Sequence, residues 1–498
     1  MSDAAKAIRG VQWNYAATAV QMAAQLMFVA IVARLLEPAD FGLMAIATVI
    51  VRFGNYLGGA GIRSYLIQKK DLASADIQGA LVLASAMGVL LCGATFLFAP
   101  AAADIFRSPG AQPVIRVLAL SFLVQALTIP AASLLQRALR FRTVAMIETT
   151  GYVGGYMLTG ILLALNGFGV WSLVGAALSQ QLIVLALSLR ASRHRFGFGF
   201  GIGELKEIAS KGGHYAVNSI LDYCVLAAPT VVVGHQFGVA DLGIFNRAST
   251  LINLPTYAVS AAISRVLLPY MAPLQTDRAR LARAHRRCAT LSALIFLPLC
   301  MGMIPAAPDI VLFVLGDRWS DGIPVFQVLA AAMAMHLVAV QLGTCADAIR
   351  KLTSRTVLSI ATLASMAIAM YLLLDYGLVG AAAGVAIGQA VRLLLYLALI
   401  GRWLELSAGD WLSTYAPGVV VGLLVAAATG SAHELLGDRP TAIVLAAEIV
   451  AGAVTLATGV LLYPQRTFKE TLSALIEHTG CPRRMPLVSS ALRLAGLR

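Results

Sequence analysis

The sequence predicts an all-α integral membrane protein of about fourteen transmembrane helices, built as two parallel six-helix lobes with two further helices at the C-terminus. Three observations lead there. Hydrophobic residues make up 59% of the chain and charged residues 12%, mean hydropathy is +0.81, and apolar segments long enough to cross a bilayer recur along nearly the full length. A stretch close to the N-terminus, Leu35 to Tyr56, returns in faded form, with Ala240-Asp241-Leu242-Gly243 standing where Ala39-Asp40-Phe41-Gly42 stood. Lysine and arginine collect at every second end of the apolar segments, which is the positive-inside pattern.

In chain order the spans are expected at 13–33, 42–60, 79–103, 113–134, 144–165, 169–189, 214–236, 242–268, 289–314, 324–346, 356–374, 379–400, 412–432 and 440–463. The first is too long for the core of a signal peptide and is read as a retained helix. The N-terminus and the ends of even-numbered spans carry the basic clusters, among them Lys6 and Arg9, Arg137 to Arg142, Arg190 to Lys211, and Arg278 to Arg287. The opposite ends carry only Arg34, Arg107, Arg116, Arg318 and Arg439. Both termini are therefore expected in the cytoplasm.

Each half of the duplication holds an even number of spans, so both halves point the same way, as in transporters with parallel repeats. Gly175 and Gln180 in span 6 are echoed by Gly384 and Gln389 in span 12. The expected organisation is a lobe at 1–190, a cytoplasmic linker at 191–213, a second lobe at 214–402, two appended helices at 403–463, and a basic cytoplasmic tail at 464–498 that lies on anionic lipid.

Some classes of function are excluded at this point. A net charge of +13 invites a nucleic-acid partner, but its carriers sit in short loops, so membrane lipids are the expected partner and nucleic acid is not. Cys92, Cys224, Cys288, Cys300, Cys345 and Cys481 are scattered, with no CxxC pair. No phosphate-binding GxxxxGK[ST], no HExxH and no metal-binding spacing occurs. No loop has room for a soluble catalytic domain. The expectation is a transporter, not an enzyme, with neither cofactor nor metal.

An ionisable side chain at the centre of a membrane helix costs about 2.5–3.5 kcal/mol on insertion scales, so each needs a partner or a wet cavity. Arg52, Arg247, Arg265 and Arg392 lie inside spans, with the acids Glu148, Asp222 and Glu448. Several sit in polar stripes at helical spacing. Arg52, Asn55 and Tyr56 share a face of span 2, and Asn246, Asn253 and Tyr257 lie along span 8. Glu148, Tyr152 and Tyr156 form a third stripe, and His214, Asn218 and Asp222 a fourth. Such stripes face the bundle interior or water. Arg52, Arg247, Arg265 and Arg392, with Asn55, Tyr56, Asn246, Asn253, Tyr257 and Tyr152, are the candidate substrate-binding set. Asp222, Glu148 and His214 are the candidate ion-coupling set. The competing readings are plain ones: structural ion pairs for Arg52 and Arg247, snorkelling for Arg265 and Arg392, core packing for the tyrosines, and a structural contact for Glu448.

The motifs LLEPADFGLMAIAT (Leu35–Thr48), LLQRALRFRTVA (Leu134–Ala145), GFGVWSLV (Gly167–Val174), ADLGIFNRA (Ala240–Ala248) and GDRW (Gly316–Trp319) resemble the polysaccharide transporter family. These are the Wzx-type flippases of the multidrug/oligosaccharidyl-lipid/polysaccharide exporter superfamily. The resemblance implies two six-helix lobes that alternate between openings to either side of the bacterial inner membrane. Its cargo would be an undecaprenyl-pyrophosphate-linked oligosaccharide held by cavity arginines, with a polymerase and a chain-length regulator of the same pathway as partners. The rival within the superfamily is an ion-coupled exporter of drugs or other lipids, whose cavity should be dominated by acids and aromatics, whereas this one carries at least two arginines.

Overall fold

The structure is a computed structural model, described for residues 20–58, 60–69, 71–192, 220–271, 277–348 and 352–462. Among these every regular element is helical. In chain order they are α1 (Val20–Leu35), α2 (Pro38–Gly58), α3 (Ala60–Gln68), α4 (Ser74–Ile105), α5 (Ala111–Ala119), α6 (Ser121–Arg137) and α7 (Phe141–Thr150). A π-helical segment, Gly151–Met157, follows, and then α8 (Leu158–Leu165) and α9 (Val170–Ser192). After α10 (Ile220–Gln236) come α11 (Val239–Met271), α12 (Arg278–Met303), α13 (Ala307–Val314), α14 (Gly322–Ala348), α15 (Leu352–Leu372), α16 (Gly377–Leu404), α17 (Ala408–Leu436) and α18 (Thr441–Leu462).

The protein is an all-α integral membrane protein. Among the described residues nine helical stretches are long and apolar enough to cross a membrane, and Val20–Leu35 and Ile220–Gln236 are shorter apolar helices. All fourteen expected ranges overlap helices, though the number of crossings is not given by that overlap. One expected span is interrupted by a turn of several residues. The range 289–314 is not one helix: α12 starts at Arg278, its first turn capped by Asp277, whose carboxylate accepts the Arg280 N–H at 3.0 Å. It ends at Met303 because Pro305 cannot supply the next N–H, and α13 begins after a turn. The basic run Arg278–Arg287 thus lies on helix rather than in a loop.

Two compact units divide the chain, one ending at Arg247 and the other starting at Ala248, so the boundary falls within α11. In the first unit α4 packs on α5 and α6, α6 and the π segment pack on α9, and α2 packs on α5. Asp76 is a well-satisfied buried carboxylate there. That carboxylate accepts from the Tyr65 hydroxyl (3.0 Å), the Lys69 ammonium (2.7 Å) and the Ala73 N–H (2.9 Å). Arg137, from the LLQRALRF motif, donates to the carbonyls of Leu66, Ile67 and Lys69 and so closes the end of α3.

In the second unit α12 packs along α17, α16 packs on α14 and α15, and α18 packs on α17 and α13. Ser407 and Asp410 form a reciprocal cap at the start of α17. Asp410 also pairs with Arg286 of α12 at 2.7 Å. Asp347 and Arg355 pair at 2.7 Å and tie the ends of α14 and α15. The expected linker from residue 193 on, the tail beyond 462, and the candidate His214 all lie outside the described residues, as does the Arg265 side chain.

Candidate functional site

The repeated motif builds the frame. Asp40 accepts the Glu37 N–H at 3.2 Å and caps the first turn of α2. It also accepts the Val170 N–H at the start of α9. The chain reaches that position through Gly167 (φ 78°) and Gly169 (φ 52°), left-handed conformations that glycine adopts freely. A Cβ on Gly169 would stand 3.2 Å from the Asp40 carboxylate. Two motifs far apart in sequence, ADFG and GFGVW, are therefore halves of one junction.

On this frame Phe41 is buried, and the Arg247 guanidinium lies over its ring at 4.5 Å from the centroid. The same guanidinium donates to Asn246 Oδ1 at 3.0 Å, while its Nε is buried with no hydrogen-bond partner. Tyr152 and Tyr156 stack at 5.3 Å on the π segment, and Phe28 of α1 meets Tyr156 edge-on at 4.8 Å. Arg247 acts electrostatically on both tyrosines, and Arg52 acts on Tyr156 as well. Both arginines therefore lie within electrostatic reach of Tyr156. The π segment that presents it packs on α9, with Gly155 against the backbone of Gln180. Segments of this kind recur at functional positions in helices.

Arg52 also acts on Tyr223 of α10. Tyr223 donates its hydroxyl to the Val49 carbonyl at 2.7 Å, and its ring lies 5.0 Å from that of Tyr56. Beside it an apolar cleft of 530 Å³ is lined by Val49, Phe53, Leu91, Phe98, Tyr223 and Val231, from α2, α4 and α10. Among the described residues neither Arg52 nor Arg247 forms an ion pair. The candidate site in this unit holds Arg247 over Phe41 near the tyrosine stack, an exposed Arg52 within electrostatic reach of Tyr156 and Tyr223, and an apolar cleft lined in part by Tyr223.

The other candidates fall elsewhere. Asn55 lies half-buried on α2 and Asp222 half-buried on α10, next to Tyr223. Glu148 is accessible, and Arg63 of α3 is its electrostatic partner. Asn253 and Tyr257 belong to the second unit; the Asn253 amide donates to the Ser249 carbonyl one turn back, and Tyr257 is 75% exposed. Arg392, also in the second unit, lies 5.8 Å over the Tyr396 ring. His336 meets Gln389 at 3.2 Å, so the glutamine echoed in the repeat holds a bundle histidine.

Sequence reasoning missed Tyr223 and Arg63. Tyr156 stood in the Glu148 stripe and could have been promoted from it. Tyr223 sits one residue beyond Asp222, on another face of the helix, and carries no periodic signal.

A family profile described as polysaccharide biosynthesis protein matches residues 31–324, more than half of the chain. The chain belongs to this family. Its similarity to the lipopolysaccharide biosynthesis protein WzxC of Escherichia coli K12 is 25% identity over 350 residues, 69% of this chain and 70% of that one. The succinoglycan biosynthesis transport protein ExoT of Rhizobium meliloti is 26% identical over 322 residues, 65% of each chain. Among solved structures, the lipid II flippase MurJ in an inward closed conformation aligns with a TM-score of 0.74 at 13% identity, over 90% of this chain and 98% of its own. An inward-facing multidrug transporter of the MATE family aligns at 0.58, with 17% identity, over 77% and 94%. This polysaccharide biosynthesis family member therefore shares its fold with these two transporters.

Proposed function

We propose that this family member is a flippase that moves undecaprenyl-pyrophosphate-linked oligosaccharide units across the bacterial inner membrane by alternating access of two six-helix lobes, for exopolysaccharide or O-antigen synthesis. In this reading it is a transporter and not an enzyme. The observation that carries the reading is the pair Arg52 and Arg247, set among Tyr156, Tyr223 and Phe41 without a carboxylate partner among the described residues.

A lipid-linked sugar pyrophosphate joins an anion, a glycan and a long apolar chain. Guanidinium groups bind phosphate oxygens in pairs and keep their charge when desolvated. Tyrosine faces suit sugar rings, and an apolar cleft such as the one beside Tyr223 suits an isoprenoid chain. The names of WzxC and ExoT, and the flippase named for the MurJ fold, point the same way. In this reading Arg265 and Arg392 belong to the substrate-binding set, both termini are cytoplasmic, and the polymerase of the pathway receives the cargo. An exporter of small cations would find two arginines without a carboxylate partner among the described residues repulsive.

The test is polymer export in a flippase-deleted strain complemented with this chain. Arg52→Ala combined with Arg247→Ala should abolish export while immunoblots show normal membrane insertion, and Arg52→Lys should export in part. Wild-type export by the inserted double variant would remove both residues from the anion site.

A further inference from the structure

Three residues that the proposed transport does not use meet in the second unit. Asp309 stands in the first turn of α13, His433 in the last turn of α17, and Glu448 on α18. His433 Nδ1 lies 2.6 Å from Asp309 Oδ2 and 3.4 Å from Glu448 Oε1. One donor atom from each side chain falls within 4.8 Å of the other two.

The cluster sets one imidazole against two buried carboxyl groups. The Asp309 and Glu448 side chains are 8% and 1% exposed, and both Glu448 oxygens are buried without a hydrogen-bond partner. A protonated imidazole balances one carboxylate; the second, buried, must either hold a proton or meet a further cation. A divalent cation would balance both and take up the idle Glu448 oxygens.

The ligand set narrows the ion. One imidazole nitrogen with two carboxylates suits zinc and its neighbours, whereas magnesium and calcium favour all-oxygen shells. Zinc bonds of about 2.0–2.2 Å to N and O place ligand atoms about 3.3 Å apart in a tetrahedron. The proton between His433 and Asp309 would leave as the metal enters, and their atoms would part by less than an ångström. His433, 40% exposed, offers the entry path.

We propose that Asp309, His433 and Glu448 form a zinc-class metal site that clasps the appended α17–α18 hairpin to α13. The fourth position is open to water.

Full-length protein purified in detergent with a histidine-free tag, stripped with EDTA, would be titrated with zinc chloride against a chromophoric indicator and melted with and without zinc. Wild type should bind one zinc more per chain than His433→Ala or Glu448→Gln, and zinc should raise the melting temperature of wild type alone. Sites elsewhere are common to all variants and cancel. Should Glu448→Gln fail to fold, His433→Gln at the more exposed position gives the same reading. Equal zinc uptake by wild type and variants overturns the site, and so does a stability that responds to pH but not to zinc.

Discussion

Gly42 and Gly243 hold the first turns of α2 and α11 against each other. A Cβ on Gly42 would stand 1.8 Å from the Val239 carbonyl oxygen, and a Cβ on Gly243 would stand 1.8 Å from that of Pro38. Pro38 and Val239 are separated in sequence by the same interval as the two glycines, so the contact is reciprocal, as a local two-fold axis requires. The repeated ADFG and ADLG motifs are the two sides of one crossing. Their glycines are there because backbone meets backbone.

Gly42→Ala and Gly243→Ala should each destabilise the protein by more than the ~1–3 kcal/mol typical of overpacking, since carbonyl groups cannot move aside as side chains do. Gly93, with nothing within 4 Å of an added Cβ, is the control. Thermal unfolding in detergent should show a lowered transition for the first two and none for Gly93→Ala. Equal transitions in all three would dissolve the crossing as a structural constraint.

Asp76 anchors the entry to α4 by accepting from Tyr65, Lys69 and the Ala73 N–H at once. Asp76→Ala removes the acceptor that Tyr65, Lys69 and the Ala73 N–H share and should cost about 1–3 kcal/mol. Asp76→Asn, which keeps an acceptor, should cost less. The order of the two melting temperatures decides it; an alanine variant as stable as wild type contradicts the anchor.

Glu148 and Asp222 are the acids we propose for ion coupling. Glu148→Gln and Asp222→Asn should each slow export several-fold at unchanged protein level, measured as polymer formed per flippase. Export at the wild-type rate with both acids neutralised would assign them to structure, leaving the membrane potential to drive a charged cargo.

The proposed orientation is open to reporter fusions. Those at Pro109, Asp317 and Gly437 should report the periplasm, and those at Arg195 and the C-terminus the cytoplasm. A periplasmic C-terminus would overturn the even span count and the parallel repeat with it.

Helices were legible in the sequence because hydropathy is a local property: a run of apolar residues must satisfy its own backbone in a bilayer, and only a helix does so within one segment. The repeat was legible for a similar reason, since identical junctions need identical residues. Arg52, Arg247 and Tyr152 could be singled out because a polar group in an apolar helix is conspicuous alone. Local pattern said nothing of what meets across helices. The π segment that carries Tyr156, the docking of Asp40 on Val170, the place of Tyr223 beside Arg52, and the meeting of Asp309, His433 and Glu448 depend on packing between residues far apart in the chain. Side-chain partners are chosen by helix crossing and rotation, which no single helix encodes, and these only the tertiary structure decided.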